Sequence, residues 1–400
     1  MSERYNPEDD SDRFHLFFKS ESEMRFLHTS DWHLGRILEQ KQLTDDQRHM
    51  LDQLVELVKE RKLDAVLVSG DVYDRGVPPP EAVELLNDVV SRLALDLGVP
   101  VIIIAGNHDS RQRLGFGAKI LERGRLHMFG AGAPAVPFVE LNDAHGPVRF
   151  YALPYAEPAE WREVLGDEAV RDHQSGFARY ITDVRAAHPK GLRSVLLAHC
   201  FATGGRESES ERPLMLGGGG QVDAALFDSF NYTALGHLHR PQQVKKAWYS
   251  GSLLKYSKSE ADHEKSVNIV EMDAAGACRV ESVRLSPLHD LRVIEGSFED
   301  LMKGTPSEDY IHAVLNNTEP VLDSWNRLLK VYPNLISLER PKIKAAGMRI
   351  EAAAMARMSD DQLFAAFYEL TKSAKADEAM MRVFREAADA VRRDVAGEPS

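Results

Sequence analysis

From Arg25 onward the hydrophobic positions fall into short runs that alternate between two periods. RFLHTS, AVLVSG and VIIIAG are compact β-rich segments, and between them Asp45 to Lys59 and Glu81 to Leu95 repeat apolar residues at helical spacing. Strands alternating with helices predict a mainly parallel sheet covered on both faces. Further along, SVLL and YTAL read as two more strands, Leu165 to His188 as a helix, and Ala202 to Gln221, with its two glycine clusters, as a mobile loop. After Gly251 the segments SVNIVEM and CRVESVRL are expected to complete the second sheet of a sandwich, closing a large domain over residues 24–285. Residues 286–345 hold short strands, RVIEGS and YIHAVLN, a helix around Val321 to Val331 and a break at Pro333, the pattern of a small α+β domain. The tail, 346–400, reads as two helices. Ser359 with Gln362 makes a capping box ahead of Leu363, Phe364, Phe367 and Leu370, and Met380, Met381, Phe384, Ala388 and Val391 follow at helical spacing.

Polar residues close each strand. SDWH follows the first, GDVYD the second, GNHD the third, AHC follows SVLL, and GHLH follows YTAL. In open α/β sheets ligands bind beyond the carboxyl ends of the strands, so five separate clusters are expected to converge on one crevice.

Composition narrows the picture. At 400 residues the chain exceeds what one core usually supports. Two cysteines, Cys200 and Cys278, are too few for a disulfide framework or a thiolate metal site and suit a reducing cytosol. No apolar run approaches the roughly 20 residues needed to cross a bilayer, so the chain is read as cytoplasmic with no membrane partner. Residues 1–23 are acidic and without periodicity, which reads as a flexible leader, with Met24 as the expected physiological start. A formal net charge of -13 disfavours a protein that coats nucleic acid by bulk electrostatics, since Lys and Arg carry phosphate binding. It favours an enzyme that brings positive charge to one place in the form of metal ions.

The clusters supply the donors for such ions. Asp31 and His33 offer an oxygen and an imidazole from one turn; Asp71 adds a carboxylate able to bridge two cations; Asn107 adds a neutral amide oxygen; His199, His237 and His239 complete the set. Seven N and O donors without a thiolate suit a pair of manganese, iron or zinc ions roughly 3.5 to 4 Å apart. Such a pair promotes in-line attack of water on a phosphoester and neutralises the nonbridging oxygens. His108, next to Asn107, is placed to stabilise the transition state or protonate the leaving oxygen, with Asp74 available to orient an imidazole or a water. Gly70 and Gly106 permit tight turns beside the ions.

Each residue also has a plainer reading. A solitary Asp-x-His is more often a solvated turn, Asn107 could cap a helix, and His199 could be an ordinary buried histidine. The ordered set of five clusters, each at a strand end, outweighs these. Elsewhere the plainer reading holds. Trp32 is as well suited to packing under the site as to stacking on a base. Arg36, Arg111 and Arg113 lie near site loops, where solvated surface competes with phosphate contact. Lys245, Lys246, Lys255 and Lys258 form a basic stretch after GHLH that favours a DNA groove there. Arg36, Arg111 and Lys255 are the candidate DNA contacts.

HTSDWHLG, SGDVYDRG, AGNHDS, LAHC, GHLHRPQ and YSGSLLKYS, in this order, resemble the SbcD-type nucleases of the calcineurin-like metallophosphoesterase superfamily. The resemblance is strong over residues 25–295, looser over 296–345, and compositional beyond. It implies a two-sheet sandwich flanked by helices, a small capping domain that binds DNA, and C-terminal helices for partner docking. It implies that Asp31, His33, Asp71 and His239 hold one ion, that Asp71, Asn107, His199 and His237 hold the other, and that His108 is the phosphate-facing catalytic histidine. It further implies manganese-dependent double-strand exonuclease and single-strand or hairpin endonuclease activity. The implied partner is an ATP-driven SbcC-type subunit that clamps the tail, with a homodimer inside a heterotetramer. Archaeal and eukaryotic relatives carry a histidine at the position of Asp74, where the bacterial branch is similar to this chain.

Two other readings compete. One is a metallophosphoesterase acting on a phosphomonoester or cyclic nucleotide, since GDVYDRG also resembles the GDxxDRG of protein Ser/Thr phosphatases, but those carry GNHE and no GHLH. A scaffold that has lost catalysis would not need an intact ligand set.

Overall fold

The structure, a computed structural model, describes residues 23–131, 137–211, 220–317, 319–340, 358–372 and 374–396. The expected leader, apart from Glu23, lies outside the described residues, as do 341–357, which include the start of the expected tail, and 212–219, which hold most of the second glycine cluster.

The body strands run β1 (Met24–Thr29), β2 (Ala65–Ser69), β3 (Val101–Ile104), β4 (Leu126–Phe129), β5 (Phe138–Asp143) and β6 (Gly146–Leu153). They continue with β7 (Arg193–His199), β8 (Tyr232–Gly236), β9 (Gln242–Val244), β10 (Ala247–Tyr249), β11 (Ser266–Met272) and β12 (Cys278–Arg284). Two six-stranded sheets form, ordered β12-β11-β1-β2-β3-β4 and β9-β10-β8-β7-β6-β5. Alternation along the strands sets the layers. Phe26, Leu67 and Ile102 point between the sheets toward Phe150, Val195 and Tyr232. Leu27, Val66 and Ile103 point the other way, against Met50 and Leu54 of α1 (Thr44–Arg61) and Leu85 and Val89 of α2 (Pro80–Ser91). The far face of the second sheet carries Leu196 and Leu235 against Trp161 of α3 (Pro158–Leu165) and Phe177 and Tyr180 of α4 (His173–Ala187). The fold is thus the expected helix-flanked two-sheet sandwich, each sheet having helices on one face and the other sheet on its second.

Three expectations need correction. SVNIVEM and CRVESVR extend the first sheet, not the second: β11 pairs antiparallel with β1, from Met24↔Met272 to His28↔Asn268, and β12 follows as the edge. Six of the seven residues of β11 are buried, which calls for an inner position, whereas β12 is largely exposed. Leu165 to His188 is not one helix. Gly166, at φ 60°, ends α3 in the left-handed region, and Asp172 starts α4 by accepting the Ser175 amide at 2.8 Å. Finally, Arg92–Asp96, the end of the second expected helix, is wound as a π-helix.

Residues 291–339 form a parallel three-stranded sheet, β13 (Leu291–Gly296), β14 (Tyr310–Leu315) and β15 (Leu335–Glu339), with α5 (Phe298–Met302) and α6 (Ser324–Leu328). Phe298, Ile311, Leu315, Leu328 and Tyr332 close its core. Buried Asp46 of α1 ties it to the body, accepting the Tyr310 hydroxyl at 2.8 Å and lying 3.0 Å from His289 Nδ1. In the tail, the Ser359 and Gln362 capping box is formed, at 2.9 and 3.3 Å, and opens α7 (Asp360–Lys372). Phe364 stacks on Phe384 of α8 (Glu378–Ala396) with ring centroids 4.2 Å apart. No helix among the described residues is long and apolar enough to cross a membrane.

Candidate metal centre

The five polar clusters meet where β1, β2, β3, β7 and β8 end. The first two loops are laced together by backbone: Asp31 N–H donates to Gly70 O, His33 N–H to Asp71 O and Leu34 N–H to Val72 O, at 2.9–3.0 Å. Side chains pack so closely on this main chain that a Cβ on Gly70 would stand 2.3 Å from His199 Nδ1, and one on Gly106 2.1 Å from Asp71 Oδ1. Asp31, His33, Asp71 and His237 all adopt positive φ, between 46° and 104°. Left-handed backbone outside glycine costs free energy and gathers where structure over-determines it, commonly at functional sites.

The seven expected ligands are brought together. His33 Nε2 lies 3.0 Å from His239 Nε2. Asp71 Oδ2 stands 3.6 Å from both His33 Nε2 and His199 Nε2, a bridging position. Asn107 Oδ1 is 2.9 Å from His199 Nε2 and 3.2 Å from His237 Nδ1. Asp31 accepts the His237 amide at 2.9 Å and the Ser30 hydroxyl at 2.6 Å. Donor atoms of Asp31, His33 and His239, and of Asp31, Asp71 and His199, lie within 4.8 Å of one another, the spacing of groups that can share an ion.

The electrostatics fit divalent cations. Burial, reinforced by the Asp71 charge, raises the Asp31 carboxyl well above its ordinary value. Burial, with neighbouring imidazoles, holds His33 and His237 well below theirs, and His199 is lowered by burial too, so these rings are neutral and keep lone pairs to offer. Asn107 Nδ2 and His33 Nδ1 are buried without a hydrogen-bond partner. Buried carboxylates and orphaned polar atoms are costly unless positive charge meets them.

The remaining expected residues are arranged around this centre. His108 N–H donates to Asp71 Oδ1 at 2.9 Å, its Nδ1 lies 2.8 Å from the Asp74 carbonyl, and its ring meets His33 edge-on at 4.8 Å. Asp74 therefore orients His108 through its backbone, while its carboxylate sits 3.0 Å from Arg36 and 3.6 Å from His33 Nδ1. Asn107, His108 and Asp74 are partly exposed whereas the other six expected ligands are buried, so the centre opens on their side. Arg36 also covers the Tyr256 ring, and Arg111 is ion-paired with Glu160. Lys255 spans the junction to the small sheet, bonded to Ala261 O at 2.8 Å and to Asp290 at 2.9 Å, so the structure uses its charge as a strut. Trp32 is fully buried under the site, its Nε1 donating to Thr29.

Sequence reasoning missed the groups that hold the ligands in place. The Asp109 carboxylate accepts the amides of Gly106, Val72 and Tyr73 at 2.9–3.1 Å, tying the second site loop to the third; burial and then Asp71 push it up to about 7. Its signal was the last letter of GNHD, an Asp placed to take nearby backbone amides. Gln47 of α1 gathers the first loop, its amide donating to His33 O at 2.7 Å and accepting from Gly35 N at 3.0 Å. Ser210, Glu211, Glu260 and Lys265 surround His239, and their contacts join residues far apart in the chain.

Residues 24–241 match the family described as calcineurin-like phosphoesterase, and residues 287–372 match that described as type 5 capsule protein repressor C-terminal domain, the SbcD_C family. Among solved structures the chain is similar to TT1561 of Thermus thermophilus, at 15% identity over 66% of this chain and 100% of that one, TM-score 0.38. It is also similar to GAP50, the anchor in the inner membrane complex of Plasmodium, at 10% identity over 82% and 99%, TM-score 0.40. A dimetal phosphatase from Danio rerio is similar at 13% identity over 66% and 99%, TM-score 0.36.

Proposed function

The chain belongs to the calcineurin-like phosphoesterase family, and from that premise we propose that it is a manganese-dependent DNA nuclease acting with an SbcC-type ATPase. In this reading it degrades duplex ends and cuts single strands and hairpins, in the cytoplasm, as a homodimer within a heterotetramer serving DNA repair, recombination and replication. The observation that carries the reading is the convergence of Asp31, His33, Asp71, Asn107, His199, His237 and His239 around the bridging Asp71 carboxylate. The SbcD_C match over residues 287–372 supports the choice of DNA over a small phosphoester.

Divalent cations in this cradle would supply about four positive charges, lower the pKa of a water and draw in the phosphodiester's nonbridging oxygens. The protein's own part is positioning. Asp71 would be the ligand common to both ions, and its Oδ1 accepts the His108 amide. With Nδ1 held at the Asp74 carbonyl, His108 keeps Nε2 for a substrate. A protonated His108 gives its Nε2 proton to the leaving oxygen as the P–O bond breaks. Arg36 and Arg111 are paired with Asp74 and Glu160, and a phosphate would compete with those carboxylates for them. Met380 and Val383, 40% and 65% exposed and three residues apart on α8, are apolar side chains suited to a coiled-coil partner.

The test is digestion of labelled linear, hairpin and single-stranded DNA beside a generic phosphomonoester, in manganese or magnesium, with and without the ATPase and ATP. The expected result is DNA cleavage, faster with manganese, and slow phosphomonoester release. Rapid phosphomonoester release with all three DNAs intact would remove the nuclease reading and leave only a phosphoesterase.

A further inference from the structure

We infer that Ser210 and Glu260 are positioning residues that fix the tautomer and orientation of His239; the inference rests on the metal-centre reading above. His239 differs from His199 in how its second ring nitrogen is held. His199 Nδ1 lies 2.9 Å from the Ser69 carbonyl at the end of a sheet strand, a backbone anchor that needs no side chain. His239 Nδ1 has no such anchor. It lies 2.7 Å from Ser210 Oγ and 3.3 Å from Glu260 Oε1, and Ser210 is itself hydrogen-bonded to Glu260.

The donor order along this chain is forced from its far end. Glu260 is fully buried and accepts from the equally enclosed Lys265 ammonium at 2.5 Å. Lys265 also donates to the His239 carbonyl and to Ser252 Oγ, both at 2.8 Å. Paired with that cation, Glu260 acts as an acceptor, so the Ser210 hydroxyl donates to it and the Ser210 oxygen accepts from His239 Nδ1–H. The Nε2 lone pair is then bare and faces His33 Nε2 across 3.0 Å, where an ion shared by the two rings would sit. Glu211 adds a grip on the backbone, accepting the His239 amide at 2.8 Å. A wholly buried Glu and Lys pair contributes little to stability alone, whereas orienting a ligand imidazole by a carboxylate is a recurrent use of such a pair. Ser210 reaches the centre from the segment between β7 and β8, whose described residues supply none of the seven expected ligands.

Manganese titration calorimetry on the full chain tests this, comparing wild type with Ser210→Ala, Ser210→Thr and Glu260→Gln. Both Ser210→Ala and Glu260→Gln are expected to weaken one of two bound ions by about 10- to 100-fold and to leave the other within about twofold. Ser210→Thr, which keeps the hydroxyl, should restore the affinity, and metal-free Ser210→Ala should melt with wild type. Because Glu260→Gln strips Lys265 of its counter-charge, Ser210→Ala decides the matter if that variant fails to fold. Wild-type affinity for both ions in Ser210→Ala would overturn the relay. DNA cleavage assayed on the same preparations separates the two levels: wild type that holds two ions but cuts no DNA ends the nuclease reading while the relay stands, and wild type that binds no manganese overturns both.

Discussion

The strand-end crevice and the small parallel sheet of residues 291–339 are built from similar strands, yet they fill their buried positions differently. In the crevice, two carboxylates and four imidazoles, Asp31, Asp71, His33, His199, His237 and His239, lie at 3% exposure or less, and Asp31, His33, Asp71 and His237 have left-handed backbone. In the small sheet the buried positions are apolar, His312 and Ser324 excepted, and the carboxylates Asp309 and Glu339 lie nearer solvent, paired with Arg292 and Lys258. Buried polarity and strained backbone oppose folding unless something compensates. Both are denser in the crevice, where four expected ligands have left-handed backbone against Asp323 in the small-sheet unit, which marks the crevice as the candidate site and leaves the small sheet closer to an ordinarily packed unit.

The largest effect that separates the two regions is expected from Asp71→Ala. Losing the shared carboxylate should abolish DNA cleavage under any metal in a single-turnover assay, a fall of at least about a thousandfold; residual activity close to wild type would refute the bridging role. His108→Ala is expected to reduce cleavage by about 10²–10⁴ while leaving manganese binding unchanged by calorimetry. Loss of metal along with activity would make His108 part of the cradle instead. Leu315→Ala should act in the opposite sense, lowering stability by about 2–5 kcal/mol in a denaturant titration with manganese affinity intact. A weakened metal site in that variant would show that the two regions are not separable.

The smallest expected effect is a pH dependence. In the metal-free fold the Asp109 carboxyl is pushed up to about 7, by burial and then by Asp71. A carboxyl raised above its unfolded value of about 3.9 costs stability progressively as pH climbs from that value to the folded one. Cations offset this penalty, so manganese should raise the melting temperature more at about pH 8 than at about pH 5.5. Equal shifts in scanning fluorimetry would contradict it.

How much of this was legible in the sequence follows from how local each signal is. The ligand loops could be read because each is a few polar residues directly after an apolar run, and the fold's periodicity aligns those ends. The capping box at Ser359 and Gln362 is local too, and it formed. The sheet chosen by β11 was not legible, since an apolar strand does not say which open edge it will join. The break at Gly166 was masked by helix-like residues on both sides. Ser210 and Glu260 gave no role in advance because each acts through a partner that only the fold supplies, as when Glu260 meets a serine 50 positions away.

The most direct measurement is anomalous diffraction from crystals of the chain grown with manganese. The expected map has two peaks roughly 3.5 to 4 Å apart, one against Asp31, His33 and His239, the other against Asn107, His199 and His237, with Asp71 touching both. A single peak, or two that do not share Asp71, would contradict the bridged cation pair.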